Sequence, residues 1–182
     1  MLTYLITGAT SGLGHQVALL LARQGGHRLI LPVRDAARGA LLSHELRACG
    51  AQQVSTPTMD LASLPSVAAF LKTRNADAEI TLHGVLMNAG VQSANRIVFT
   101  NDGFESTFAV NHLAHHLLLN GLLRSQKHRR QMGAGRMTEP DRGHRRWIAV
   151  EYRHGTAVFL RPSKAISLHR FAWHDSRPTR QD

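Results

Sequence analysis

Apolar residues in the first two thirds of the chain alternate between short uninterrupted runs and helical spacings. Leu2-Thr3-Tyr4-Leu5-Ile6-Thr7 is such a run, and it leads straight into Gly8-Ala9-Thr10-Ser11-Gly12-Leu13-Gly14. That pattern predicts a strand ending in a tight turn. Leu13, Val17, Leu20 and Leu21 then recur at helical intervals until Gly25-Gly26 stops the pattern. A second strand is expected over Leu29 to Val33, with Pro32 limiting its last residues. Asp35 is placed to cap a helix from Ala36 to about Cys49, which Gly50 terminates. Gln53 to Met59 predicts a third strand, Leu64 to Lys72 a short helix, and Gly84 to Asn88 a fourth strand. Asp102 to about Leu123 predicts a long helix with Phe104, Phe108, Leu113 and Leu117 on its inner side.

Strands separated by helical segments imply right-handed crossovers and an α/β fold, a parallel sheet covered on both faces. The regularity ends near Leu123. Arg124 to Arg146 shows neither helical nor alternating apolar periodicity, and Trp147-Ile148-Ala149-Val150 is a doubtful candidate for a fifth strand. The sheet is therefore expected to be incomplete at its C-terminal side, leaving one edge of the fourth strand unpaired and prone to aggregation.

Composition changes at the same place. The 182 residues include 22 Lys+Arg and 12 Asp+Glu, but residues 1–120 carry only 8 and 7 of them against 14 and 5 in residues 121–182. The basicity belongs to the last third. A tail holding 12 Arg in 62 residues, against 7 in the first 120, predicts either a shifted reading frame or a truncated copy. One cysteine, Cys49, excludes an intrachain disulfide framework and suits a reducing compartment. No apolar run approaches a membrane span, and the first strand leaves no room for a leader, so a cytoplasmic protein is expected.

A strand, a glycine-rich turn and a helix make an anion site: backbone N–H groups at the helix N-terminus point at a phosphate and the helix dipole favours its charge. The spacing Gly8, Gly12, Gly14 is G-x-x-x-G-x-G, which on its own also fits an ordinary tight turn. Three further stretches accompany it: Asp60-Leu61 after the third strand, Asn88-Ala89-Gly90 after the fourth, and Val110-Asn111-His112-Leu113-Ala114-His115 on the long helix. Together they resemble the short-chain dehydrogenase/reductase family, in particular the branch containing retinol dehydrogenases and protochlorophyllide reductases.

The resemblance covers about residues 1–123 and implies a Rossmann-like, doubly wound NADP-binding domain, followed by an atypical tail over 124–182. It implies cofactor contacts at Gly8, Thr10, Ser11, Gly12, Leu13, Gly14, Asp60, Leu61, Asn88, Ala89 and Gly90, and a supporting role for Asn111 beside a proton-relay water. Val33-Arg34-Asp35 closes the second strand, with a basic residue at Arg34 and an apolar one before it. A guanidinium there suits the 2′-phosphate of NADP, so NADP(H) is expected over NAD, with Arg38 adding charge one turn later. The alternative is that both arginines are solvated helix-end residues.

The family's hydride transfer between nicotinamide and a carbonyl or alcohol uses a Tyr, a Lys four residues later and a Ser. The cation is needed because a tyrosine with pKa near 10 is a poor base at neutral pH. The two tyrosines here are Tyr4 and Tyr152, and the residue four beyond Tyr152 is Thr156. Ser163-Lys164 offers the nearest match and puts Leu160 where the tyrosine should stand. An impaired oxidoreductase is expected, acting on a small carbonyl or alcohol if active. The alternatives are a nucleotide-binding pseudoenzyme and a basic-tailed nucleic-acid-binding protein. The last lacks a recognisable binding module, with Trp147 and Trp173 far apart. No metal site is expected from His112, His115 and His116, which have no acidic or Cys ligand nearby in sequence. An oligomer remains open.

Overall fold

The first apolar run forms β1, Leu2–Thr7, and its side chains are buried on both faces: Leu5 on one, Tyr4 and Ile6 on the other. A strand in that position needs neighbours on both edges. β1 pairs in parallel with β2, His27–Ile30, on one side and with β4, Gly84–Met87, on the other. β3, Gln53–Ser55, extends the sheet beyond β2. The structure, a computed structural model, describes residues 1–76, 80–92, 96–132, 148–152 and 156–160. The strand order begins β3-β2-β1-β4. The chain moves outward from β1 through β2 to β3, then crosses back to β4 on the far side of β1. That reversal opens a crevice at the carboxyl ends of β1 and β4, where ligands bind in sheets of this kind.

Both faces are covered. Helices α1, Gly12–Gln24, and α2, Ala36–Ala48, pack on Tyr4, Ile6, Leu29 and Leu31. On the opposite face α3, Leu64–Ala76, and the last long helix enclose Leu5, Ile30, Val85 and Met87. The inner side of α1 is Gly14, Ala18, Leu19 and Ala22, whereas Leu13 is 63% exposed and Leu20 also faces outward. Val17 and Leu21 pack half-buried beside this line, so the apolar spacing is offset from the buried face. The helix starts so close to β1 that a Cβ on Gly14 would strike the Gly8 carbonyl and the Asn88 side chain, and small residues continue that line. Strands β2 and β3 are shorter than the apolar runs suggest. Pro32 and Pro57 break the ladder, which resumes as a bridge between Val33 and Thr58, with Met59 N–H donating to the Val33 carbonyl at 2.8 Å.

The long helix departs most from expectation. It begins at Ser106, not at Asp102, with α4, Ser106–Phe108, opening into a π-helical turn, Ala109–Leu113, before α5, Ala114–Met132. Glu105 caps it, accepting from the N–H groups of Thr107 at 2.8 Å and Phe108 at 2.7 Å. Asp102 instead caps α3 from 38 residues away, accepting from the Leu64 N–H at 2.7 Å. The buried stripe is Val110, Ala114, Leu118 and Leu122, while Phe104 and Phe108 are exposed and Leu113 and Leu117 half-buried. Placing the start one turn early fixed the phase on the phenylalanines, and the π turn adds a residue that rotates the rest of the helix. The helix also continues to Met132. Arg, Gln, Lys and Met propagate a helix already nucleated, without needing an apolar stripe.

Residues 148–160 supply a hairpin, β5, Ile148–Tyr152, and β6, Thr156–Leu160. β6 runs antiparallel along β4, pairing Val85 with Phe159 and Met87 with Ala157, and the full order is β3-β2-β1-β4-β6-β5. As a parallel sheet the fold is incomplete on this side, as expected. The expectation of an unpaired β4 edge is corrected, because backbone donors and acceptors of β6 satisfy it whatever the tail's side chains are. Among the described residues no helix is long and apolar enough to cross a membrane.

Candidate functional site

The glycine loop and the turn after β4 meet at the crevice and are tied by one hydroxyl. Thr7, the last residue of β1, is 1% exposed. Its Oγ1 accepts from the backbone N–H of Asn88 at 3.0 Å and of Ala89 at 3.1 Å. The Asn88 amide returns the link, donating to the carbonyls of Thr7 at 3.3 Å and Gly8 at 3.2 Å. Five of the residues expected at the site, Gly8, Gly14, Asn88, Ala89 and Gly90, thus stand together at the mouth of β1 and β4.

Gly12 is left open. It has φ +58°, and a Cβ built there would have no atom within 4 Å. Ser11 precedes α1 without capping it, because its side chain makes no bond to the first-turn N–H groups. Unclaimed N–H groups beside a backbone without a side chain form a cradle for a phosphate. Thr10, Ser11, Gly12 and Leu13 are exposed around it.

Asn111 reaches the same turn from the helix. Its Oδ1 accepts from the Val91 N–H at 2.8 Å, and its Nδ2 donates to the Val91 carbonyl at 2.9 Å. The π turn carrying Asn111 is what brings that residue to the crevice. His115, one turn on, points inward instead, 5% exposed, with Nε2 3.0 Å from the Thr7 hydroxyl. Burial lowers its pKa below 6.5. Nothing in the sequence singled out its role, although inward placement of a histidine within an apolar stripe is the signal that could have done so.

Arg34 is exposed at the end of the β2 segment, next to Asp35, whose carboxylate caps α2 through Ala37 N–H at 2.8 Å. Arg38 lies 3.9 Å from the second Asp35 oxygen. It also lines a cleft of about 260 Å³ with Thr10, His15 and Glu45, beside the glycine loop. A larger cleft of about 690 Å³ lies at the outer edge between β3 and α3, away from the crevice. Asp60 accepts from the Ala62 N–H at 2.9 Å, and the Leu61 side chain is buried in the core.

The residues of the C-terminal third that came nearest to the family's catalytic set fare differently. Tyr152 closes β5 opposite Thr156. Because Ala157 pairs with Met87, that end of the hairpin lies beside the carboxyl end of β4. Two strand spacings, about 10 Å, separate β5 from β4. Trp147, Ser163, Lys164 and Trp173 lie outside the described residues. The three helix histidines do not converge: His112 and His116 stack on the outside at 6.3 Å while His115 faces the core. No group of three metal-ligating side chains occurs among the described residues.

The sequence profile of the short chain dehydrogenase family matches residues 3–134, about three helical turns further than the motifs alone suggested. Mouse retinol dehydrogenase 11 is 40% identical over 124 residues, which make up 68% of this chain and 38% of that protein. Protochlorophyllide reductase B of Hordeum vulgare is 41% identical over 128 residues, 68% of this chain and 31% of the relative. The chain thus spans about two fifths or less of the curated relatives it matches. Among solved structures, a short-chain dehydrogenase from Sphingobium yanoikuyae in complex with NADPH aligns with a TM-score of 0.56 at 33% identity, over 67% of this chain and 47% of that one. An alcohol dehydrogenase from Thermococcus sibiricus complexed with 5-hydroxy-NADP aligns with a TM-score of 0.58 at 30% identity, over 71% and 55%.

Proposed function

The chain belongs to the short chain dehydrogenase family, and from that premise we propose that its residues 1–123 bind NADP(H) without supporting efficient turnover. The observation that carries the reading is the open Gly12 cradle at the uncapped start of α1, facing the crevice between β1 and β4. Thr10, Ser11, Gly12, Leu13 and Gly14 would hold the pyrophosphate, Arg34 the 2′-phosphate, and Asp60 with the Leu61 backbone the adenine. Asn88, Ala89 and Gly90 would flank the nicotinamide ribose. The nicotinamide, when bound, supplies hydride chemistry toward a small carbonyl or alcohol. Arg34, which is exposed, offers a fork of donors at the strand end where a ribose phosphate would lie, and this supports NADP(H) over NAD. Residues 124–182 are, in this reading, a basic, Arg-rich tail without the family's catalytic motif, although its hairpin joins the sheet at β4, and a cytoplasmic location rests on the solitary Cys49.

Turnover needs a proton donor within hydrogen-bond reach of the substrate oxygen. Asn111 supports such a relay but cannot replace its acid. Tyr152 has no lysine four residues later, and its strand is removed from β4. The test is a fluorescence titration with NADPH and NADH, followed by carbonyl-dependent NADPH oxidation, on a chain first shown to be folded. Gly12→Val should abolish binding, because the side chain would enter the cradle and strain a left-handed backbone. Arg34→Ala should weaken NADPH by about tenfold more than NADH. Equal losses would remove Arg34 from cofactor selection. Turnover should be lower than that of a complete family member by on the order of 10² to 10⁴. Robust turnover that depends on Tyr152 would instead make the hairpin part of the active site.

A further inference from the structure

Thr7 Oγ1 has two lone pairs and one hydrogen. Both lone pairs are engaged by the N–H groups of Asn88 and Ala89. The hydrogen is therefore what the hydroxyl gives to the remaining partner, His115 Nε2 at 3.0 Å. An Nε2 that accepts must be unprotonated, so a neutral ring carries its proton on Nδ1. That nitrogen stands 3.3 Å from the Asn111 carbonyl, to which it donates. The count closes with every atom used once. An imidazolium would break it, because its Nε2–H would meet an oxygen with no lone pair left.

We propose that His115 is a positioning residue of the crevice. As the neutral Nδ1–H tautomer, it couples the Thr7 hydroxyl, and through it the glycine loop and the Asn88 turn, to the helical turn that carries Asn111. The ring spans two elements that no other described side chain joins by hydrogen bonds at this point: β1 at one nitrogen and the π turn at the other. Asn111 in turn holds Val91 at both its backbone groups, so the circuit runs from β1 through the turn after β4 to the helix and back. The ring is faced by the Thr7 hydroxyl and the Asn111 carbonyl, and no charge contributes to its shifted titration, which arises from burial. The crevice's purpose in this inference rests on the cofactor reading above; the tautomer and the coupling do not.

Two readouts on the full chain separate these points. Long-range proton–nitrogen correlation spectra of the labelled protein report the His115 tautomer directly: a neutral Nδ1–H ring is expected at neutral pH. An Nε2–H tautomer would overturn the proposal. In NADPH titrations His115→Leu should weaken binding about tenfold, whereas His115→Gln, which keeps an acceptor at the ε position for Thr7, should stay within about threefold of wild type. Thr7→Val should cost affinity in the wild-type background and little more in His115→Leu. Gln no better than Leu, or strictly additive losses, would count against the coupling. If the wild-type chain bound no NADPH, the cofactor reading would fall. The spectrum, with the same double-mutant cycle read as urea stability, would then decide the tautomer and the coupling.

Discussion

At the scale of single residues, Thr7, Asn88, Asn111 and His115 form one hydrogen-bonded circuit, and the motifs alone placed two of the four, Asn88 and Asn111, at the site. A short motif records which residue types must meet a ligand or a turn, and glycine, asparagine and threonine announce themselves by what their backbones and short side chains can do. His115 did not, because its role depends on which way one helical position faces. Its burial has a consequence for stability. The folded state holds His115 neutral, with a pKa lowered from 6.5, while the unfolded chain protonates near 6.5. The unfolded state therefore binds more protons below that value, and stability falls as pH drops. His27, lowered first by burial, acts in the same direction. We expect the urea midpoint to fall as the pH drops below the ordinary histidine value of about 6.5. The fall should be shallower in His115→Gln. A wild-type midpoint that rises on acidification through this window would show that His115 protonates more readily when folded.

At the scale of elements, the order of strands and helices was legible throughout residues 1–123, while phase and boundaries were not. Periodicity reveals that a helix has an apolar side, but it is biased toward the largest apolar residues. In α1 the buried line is made of Gly14, Ala18 and Ala22 because the helix lies close to β1. In the last helix the buried line passes through Ala114 rather than the phenylalanines. Small residues carry the tightest contacts here and the weakest sequence signal. Gly121 is the clearest case. A Cβ on it would stand 2.7 Å from Leu71 Cδ2, where α5 crosses α3 over a buried core. Gly121→Val should push the two helices apart and cost about 1–3 kcal/mol, seen as a lower urea midpoint with unchanged helix content. A variant as stable as wild type would mean that Leu71 has room to swing away.

At the scale of the whole molecule, the sheet's boundary decides whether the chain behaves as one unit. The motif pattern placed four parallel strands correctly and implied a bare edge on β4, because the tail lacks the alternation that marks a partner strand. Strand pairing is made by backbone groups, however, and β6 reaches β4 in register through main-chain bonds from Gly84 opposite Leu160 to Met87 opposite Ala157. Side-chain pattern is a poor guide to such an element, since the pairing itself is made by the backbone. The hairpin occupies the β4 edge, which the net charge of +10 cannot do, and a covered edge offers no template for pairing with another copy. Val158 sits at the centre of β6, between Leu86 of β4 and Val150 of β5. Val158→Pro removes one N–H from a strand bonded on both sides and cannot be accommodated there without opening one ladder. The variant should leave the first 123 residues folded but release the β4 edge. Concentration-dependent self-association by light scattering and faster proteolysis between residues 133 and 160 are the expected results. A Val158→Pro chain that self-associates no more than wild type and is as protease-resistant at high concentration would show that β6 does not hold this edge in solution, and that some other segment of the chain protects it.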